Sequence, residues 1–78
     1  MHEYHQLQIM LDNGNIMKIC GTEDVLRRAL FEWENAIESA NTNGLLRIDG
    51  YTDTADRASC TCLTMIDSIN SMFLVRMA

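Results

Sequence analysis

Residues 6–20, QLQIMLDNGNIMKIC, decide the fold. Apolar and polar side chains alternate on both sides of a central turn, which is typical of two strands joined as a β-hairpin. A two-residue loop would pair Ile9 with Lys18 and would mix the two faces of the hairpin. A three-residue loop with Gly14 in a left-handed conformation pairs Ile9 with Met17 and keeps one face apolar. We therefore predict the three-residue, bulged hairpin.

The segment after the hairpin has a helical pattern. Thr22 is suited to an N-cap, and Glu23 and Asp24 fall in the first turn, where the helix dipole favours acidic side chains. Apolar residues then recur at three- and four-residue spacing, over an arc of roughly 140° that is wide enough to cover a sheet. We predict one helix from about Glu23 to Ala40. Its apolar residues are Val25, Leu26, Ala29, Leu30, Trp33, Ala36, Ile37 and Ala40.

Three further strands are predicted in the second half of the chain, at Leu45–Tyr51, Ala58–Met65 and Met72–Met77, with a turn or short 3₁₀ segment at Ile66–Asn70. The order is β-β-α-β-β-β. This order favours an α+β two-layer sandwich, in which one long helix packs across a mostly antiparallel sheet. With 78 residues, the chain has room for a single domain, 1–78.

Composition excludes several functions. The apolar fraction of 47% and the charged fraction of 22% are typical of a globular domain, and no apolar run is long enough to span a membrane. Six basic residues stand against 11 acidic ones, for a net charge of −5. Direct binding to nucleic acid needs clustered cations, and docking on an anionic membrane needs a basic surface. We expect neither.

Three cysteines are present, an odd number that does not fit the paired disulfides of small secreted domains. We expect Cys20, Cys60 and Cys62 to be reduced and the protein to be cytoplasmic. Cys60 and Cys62, together with His2 and His5, are side chains that zinc accepts. Their C-x-C spacing is shorter than that of zinc knuckles, and His2 is almost terminal. We therefore expect small apolar cysteines on a packed face, with no metal and no cofactor.

Catalytic patterns are missing from the sequence. The histidines and carboxylates are not spaced as an acid–base pair, the serines lack the glycines of a nucleophile elbow, and the glycines form no phosphate-binding run. We predict that the protein is not an enzyme. The residues weighed are His2, His5, Asp49, Asp53, Asp56, Asp67, Ser39, Ser59, Ser68 and Ser71.

The last strand is apolar on both faces, and one helix covers only one of them. The open face would then be more apolar than the surface of a monomer usually is. The pattern leaves open which face of the last strand points away from the helix. The predicted open-face residues are Met10, Ile16, Cys60 and Cys62, with either Phe73 and Val75 or Met72 and Leu74.

Two functions are consistent with these features. The leading one is a non-catalytic protein–protein interaction module that self-associates, as a dimer or higher oligomer, through the face or edge of its last strand. The alternative is an acidic inhibitor-type protein, of the kind that phages and mobile elements encode. It would present Phe31 and the neighbouring acids Glu32, Glu34 and Glu38 to a basic partner protein, by imitating nucleic acid. The predicted interface residues are Met72, Phe73, Leu74, Val75 and Met77, with Phe31 as a second position.

Overall fold

The computed structural model describes residues 4–77, with the backbone alone described at Tyr4. In chain order the elements are β1 (Tyr4–Leu11), β2 (Ile16–Gly21), α1 (Glu23–Glu38), β3 (Leu45–Thr52), β4 (Ser59–Met65), a 3₁₀ turn (Ile66–Ser68) and β5 (Ile69–Met77). The five strands form one antiparallel sheet in the order β4-β3-β2-β1-β5, and the long helix packs on it. The predicted α+β fold is confirmed.

The first hairpin has the predicted register. Ile9 lies opposite Met17, and Gly14 has a φ of 89°, in the left-handed region that the bulged loop requires. The Gly14 amide donates a hydrogen bond to the Leu11 carbonyl at 3.0 Å, which closes the turn. The apolar side of the hairpin therefore faces the helix.

Helix α1 begins where predicted and ends at Glu38, two residues before the predicted end. Ala40 has a φ of 57°, so it cannot continue the helix. The Asn41 amide donates to the Ala36 carbonyl at 2.9 Å and the Ala40 amide to the Ile37 carbonyl at 3.2 Å. These two bonds form a Schellman cap, with alanine at the position that glycine usually occupies.

The hydrophobic core lies between the helix and the inner face of the sheet. Leu26 and Ala29 of α1 belong to one buried apolar cluster with side chains from β1, β2, β3, β5 and the 3₁₀ turn, and Cys62 of β4 packs against this cluster. Each fully buried Leu or Ile contributes about 1.5–3 kcal/mol by leaving water. The buried core residues are Leu7, Ile9, Ile19, Leu26, Ala29, Leu46, Ile48, Ile66, Ile69 and Met72.

The sheet is strongly coiled between β2 and β3. These two strands pair at only two positions, Ile19 with Thr52 and Cys20 with Tyr51. In a flat ladder with this register, Met17 and Thr64 would be more than about 25 Å apart. The Thr64 hydroxyl is in fact 3.9 Å from the Met17 sulfur. The β3–β4 hairpin therefore folds back over the core, and this allows the three residues of the 3₁₀ turn to join β4 to β5.

Strand β5 starts three residues earlier than predicted. Ile69 and Ser71 oppose consecutive residues of β1, which leaves Asn70 as a β-bulge. The bulge turns both Ile69 and Met72 toward the core. It breaks the alternation on which the prediction of a strand at Met72–Met77 depended.

The prediction that Cys60 and Cys62 lie on the open face is wrong. Cys62 is opposite Ile48 and Cys60 is opposite Gly50, so both share the helix side with the core residue Ile48. Cys62 packs against the core. Both faces of β4 are moderately apolar, and the alternation therefore did not determine which one is inside. The expected packed environment of free cysteines does hold for Cys62.

Candidate association surfaces

Strand β5 forms one edge of the sheet. It pairs with β1 along its whole length, and no strand within residues 4–77 pairs with its other side. The strand has nine residues, no proline and a single charged side chain, Arg76. An edge of this kind presents open N–H and C=O groups that can pair with another chain.

The structure decides the orientation of β5 that the sequence left open. Met72 is buried in the core, and Leu74 is half-buried against it. Phe73, Val75 and Met77 point to the outer face, where Phe73 is 52% exposed and Met77 is 39% exposed. Three of the five predicted interface side chains on this strand are therefore on the surface away from the helix.

The outer face next to β5 is polar at its centre. Gln8 donates from Nε2 to the Gln6 Oε1 atom at 2.8 Å, and the Gln6 amide nitrogen is 3.8 Å from the Cys20 sulfur. Gln6 and Cys20 are buried although they lie on this face. Met10 and Ile16 lie further along the same face, as predicted. The Gln6–Gln8 pair separates Met10 and Ile16 from the apolar side chains of β5 further along the strand. The apolar surface formed by Val75 and Met77 therefore lies along the free edge of β5.

Strand β4 forms the opposite edge and bears a second apolar patch. Leu63 is 62% exposed, Met65 is 47% exposed, and Leu45, which lies opposite Met65, is 61% exposed. Strand β4 has no charged residue and no proline. We name Leu45, Leu63 and Met65 the β4 patch. Sequence analysis missed it because it placed Leu63 and Met65 on the helix side. The signal that identifies it is the pairing of β4 with Leu46 and Ile48.

No family model, curated protein or solved structure matches this chain. No residue role is therefore transferred from a relative.

The outer side of α1 bears the acids that the sequence singled out. Phe31 is 61% exposed, and Glu32, Glu34 and Glu38 are exposed around it. The last turn of the helix contains no basic residue. Glu34 and Glu38 are four residues apart and repel one another, and both lie near the negative end of the helix dipole. This half of the helix therefore carries negative charge at a cost in stability.

In the first half of α1, the negative charge of Glu23 is balanced by a basic residue of the same helix. The Arg27 guanidinium donates to the Glu23 carboxylate one turn earlier, and this hydrogen bond lowers the pKa of Glu23. On β3, the Thr61 hydroxyl donates to the Asp49 carboxylate at 2.8 Å and lowers the pKa of Asp49. Each of these two carboxylates is therefore already occupied by a donor from the same chain.

Of the residues considered for metal binding, the described ones are divided between two strands. His5 is on β1 and the two cysteines are on β4, while His2 lies outside the described residues. Within residues 4–77 no group of three or more His, Cys, Asp or Glu side chains is placed to hold a metal ion. No helix in the same range is long and apolar enough to cross a membrane.

A cleft of about 490 Å³ lies between the start of α1 and the β3–β4 hairpin. Among residues 4–77, its lining includes the nucleophile types Ser59 and Cys60 and one carboxylate, that of Asp49. Asp49 already accepts a hydrogen bond from Thr61 and has a lowered pKa, so it is a poor general base.

Proposed function

We propose that this protein is a non-catalytic interaction module that self-associates through the free edge of β5. The observation that carries the proposal is an edge strand with Phe73 and Met77 exposed on its outer side and little charge along it. Pairing with a second chain satisfies the open backbone groups and removes these side chains from water in one contact. Closed assemblies of identical subunits are the commonest way to do this.

Apolar burial and backbone pairing at this edge have to exceed the cost of association, about 4–15 kcal/mol for lost translational and rotational freedom. Full burial of a Phe or Met side chain contributes about 1.5–3 kcal/mol, and roughly half of that remains to be gained at Phe73 and Met77 in each copy. Backbone hydrogen bonds across the edge each add about 1 kcal/mol net. A micromolar dissociation constant corresponds to about 8 kcal/mol. We expect the native protein to associate in the micromolar range.

Two further observations support the non-catalytic and cytoplasmic parts of the proposal. In the cleft beside Ser59 and Cys60, the one carboxylate among the described lining residues, Asp49, has a lowered pKa that does not suit a general base. The three cysteines are free, and Cys20 is buried. Free thiols are typical of proteins kept in a reducing compartment.

Light scattering of the native chain and of Phe73→Glu/Met77→Glu tests the proposal. We expect the native chain to exceed the 8.9 kDa of one copy, and the variant to have that mass with unchanged circular dichroism. The matched control is Ile16→Glu, which is as exposed as Phe73 and lies on the outer face of β2, away from the edge. A native chain that stays monomeric to about millimolar concentration would contradict the proposal, because association would then be worth less than about 4 kcal/mol.

We propose as a second candidate an acidic protein that binds a basic partner through the outer side of α1. The observation in its favour is that Glu34 and Glu38, which repel one another, lie beside an exposed Phe31. Binding to poly-L-lysine at low and moderate salt tests it, in the native chain, in Glu34→Gln/Glu38→Gln and in the control Asp53→Asn/Asp56→Asn, which removes the same charge away from α1. The candidate predicts binding that weakens with salt and falls more in the α1 variant than in the control. Equal losses in the two variants reflect net charge alone and rule it out.

A further inference from the structure

We propose that Asn43 is a modification site, at which the folded protein deamidates spontaneously to aspartate or isoaspartate. The sequence contains two Asn-Gly pairs, Asn13-Gly14 in the turn between β1 and β2 and Asn43-Gly44 in the loop between α1 and β3. All four residues are exposed. The hydrogen bonds around the two pairs differ, and this difference assigns the reaction to the second pair. The inference is independent of the proposed self-association.

Deamidation depends on the backbone amide that follows the asparagine. The amide nitrogen gives up its proton and forms a bond to the side-chain carbonyl carbon, the bond from that carbon to the side-chain nitrogen breaks, and ammonia leaves. Water then opens the resulting succinimide ring at either carbonyl, which yields aspartate or isoaspartate. One water is consumed, one ammonia is released, and nothing is oxidised or reduced. Glycine favours the reaction because it has no Cβ atom to hinder the attack.

In the first pair, hydrogen bonds hold both reacting groups. The Gly14 amide, which would be the nucleophile, donates to the Leu11 carbonyl at 3.0 Å. The Asn13 side-chain oxygen accepts a hydrogen bond from the Asn15 amide at 2.9 Å. The bulged turn also holds Gly14 in its left-handed conformation. Attack on Asn13 therefore requires the turn to open and both hydrogen bonds to break.

The second pair lacks both restraints in the part of the chain that the structure describes. The Gly44 amide donates to no acceptor there, and the Asn43 side chain makes no hydrogen bond. The Gly44 carbonyl accepts from the Ile66 amide at 3.0 Å, but this bond leaves the Gly44 nitrogen available. The space beside Gly44 is also open, since a Cβ atom placed on it would be 3.8 Å from the Ile66 Cδ1 atom. The two reacting groups can therefore meet while the protein stays folded.

The experiment is incubation of the native protein at mildly alkaline pH, followed by peptide mass spectrometry, which detects the change from amide to acid at each asparagine. We expect Asn43 to react at least about tenfold faster than Asn13, because reaction at Asn13 requires two hydrogen bonds to break. The same incubation in concentrated urea removes the hydrogen bonds, and the two rates should then approach each other.

Two variants link the reaction to this pair. Deamidation adds one negative charge to a chain with a net charge of −5, so anion exchange separates the product from the native chain. We expect Asn43→Gln to form much less of this acidic species. In Gly44→Ala the added Cβ atom hinders the attack, and the reaction at Asn43 should slow.

Two results would overturn the inference. One is equal reaction of Asn13 and Asn43 in the folded protein, which would show that the hydrogen bonds of the first turn give no protection. The other is an Asn43 that reacts in urea but is stable in the folded protein, which would show that the fold protects it. Peptide mass spectrometry follows each asparagine separately, so both results leave the proposed self-association through β5 untouched.

Discussion

Gly50 of β3 lies so close to Ile19 of β2 that a Cβ atom placed on it would be 2.6 Å from the Ile19 Cγ2 atom. The same Cβ would be 2.5 Å from the carbonyl oxygen of Cys20, which is backbone and cannot move aside. Side-chain atoms do not tolerate such distances. Gly50 therefore permits the close crossing of β2 and β3 at which the sheet coils.

We expect Gly50→Ala to destabilise the protein by about 1–3 kcal/mol, the usual cost of forcing an extra carbon atom into a packed site. Urea unfolding followed by circular dichroism measures the change in free energy. The control is Gly44→Ala, because a Cβ at Gly44 would meet its nearest neighbour, the Ile66 Cδ1 atom, at an ordinary 3.8 Å. Equal effects of the two substitutions would show that the crossing at Gly50 is not tight.

We expect Ala40→Gly to stabilise the protein by about 0.5–1 kcal/mol. Ala40 occupies a left-handed conformation with a φ of 57°, which glycine adopts without the clash that a Cβ causes. Thermal unfolding measures the effect. Ala36→Gly, within the helix, is the opposite control and should cost up to about 1 kcal/mol. A loss of stability in Ala40→Gly would mean that the Schellman cap does not form.

We expect Glu38→Lys to stabilise the protein by about 0.5–1 kcal/mol at low salt. The change turns the repulsion from Glu34 into attraction and places a cation at the negative end of the α1 dipole. The gain should shrink as salt is added, since the site is exposed. Glu38→Gln removes only the repulsion and should give about half the gain. No gain in either variant would show that the acidic side chains at the end of α1 do not lower the stability of the protein.

We expect the pKa of Glu23 to lie below its ordinary value, because Arg27 donates a hydrogen bond to its carboxylate. A lowered pKa means that the pair stabilises the fold above the ordinary pKa of glutamate and that this contribution is lost as pH falls through the folded value. Titration by nuclear magnetic resonance measures it. In Arg27→Gln the pKa of Glu23 should rise. An unchanged value would show that the pair is not formed in solution.

Local patterns determined the parts of the fold that the sequence could predict. Alternation and Gly14 were enough to assign the register of the first hairpin, and helical spacing was enough to locate α1. The bulge at Asn70 hid the start of β5, because it shifts the alternation by one residue. The lone Gly50 within a strand is the one local sign of the close crossing, and it does not indicate how far the β3–β4 hairpin folds back.

Of the two candidate association surfaces, the sequence indicated the one on β5 and did not indicate the β4 patch. The apolar pattern of the last strand indicated β5 as an association surface, and the structure adds that Phe73 rather than Met72 is on the outer face. The β4 patch could not be predicted, because the two faces of β4 are equally suited to a core. One face bears Cys60 and Cys62, and the other bears Leu63 and Met65. Its position depends on the tertiary pairing of β4 with Ile48.

Amide hydrogen exchange in β5, measured in dilute and in concentrated solution, tests self-association through this edge most directly. Pairing with another chain protects edge amides that are otherwise open to water. We predict that the exchange of amides within residues 71–77 slows as the protein is concentrated, while the exposed loop at residues 53–58 exchanges at the same rate throughout. Exchange in residues 71–77 that is independent of protein concentration, up to about millimolar, would contradict the account.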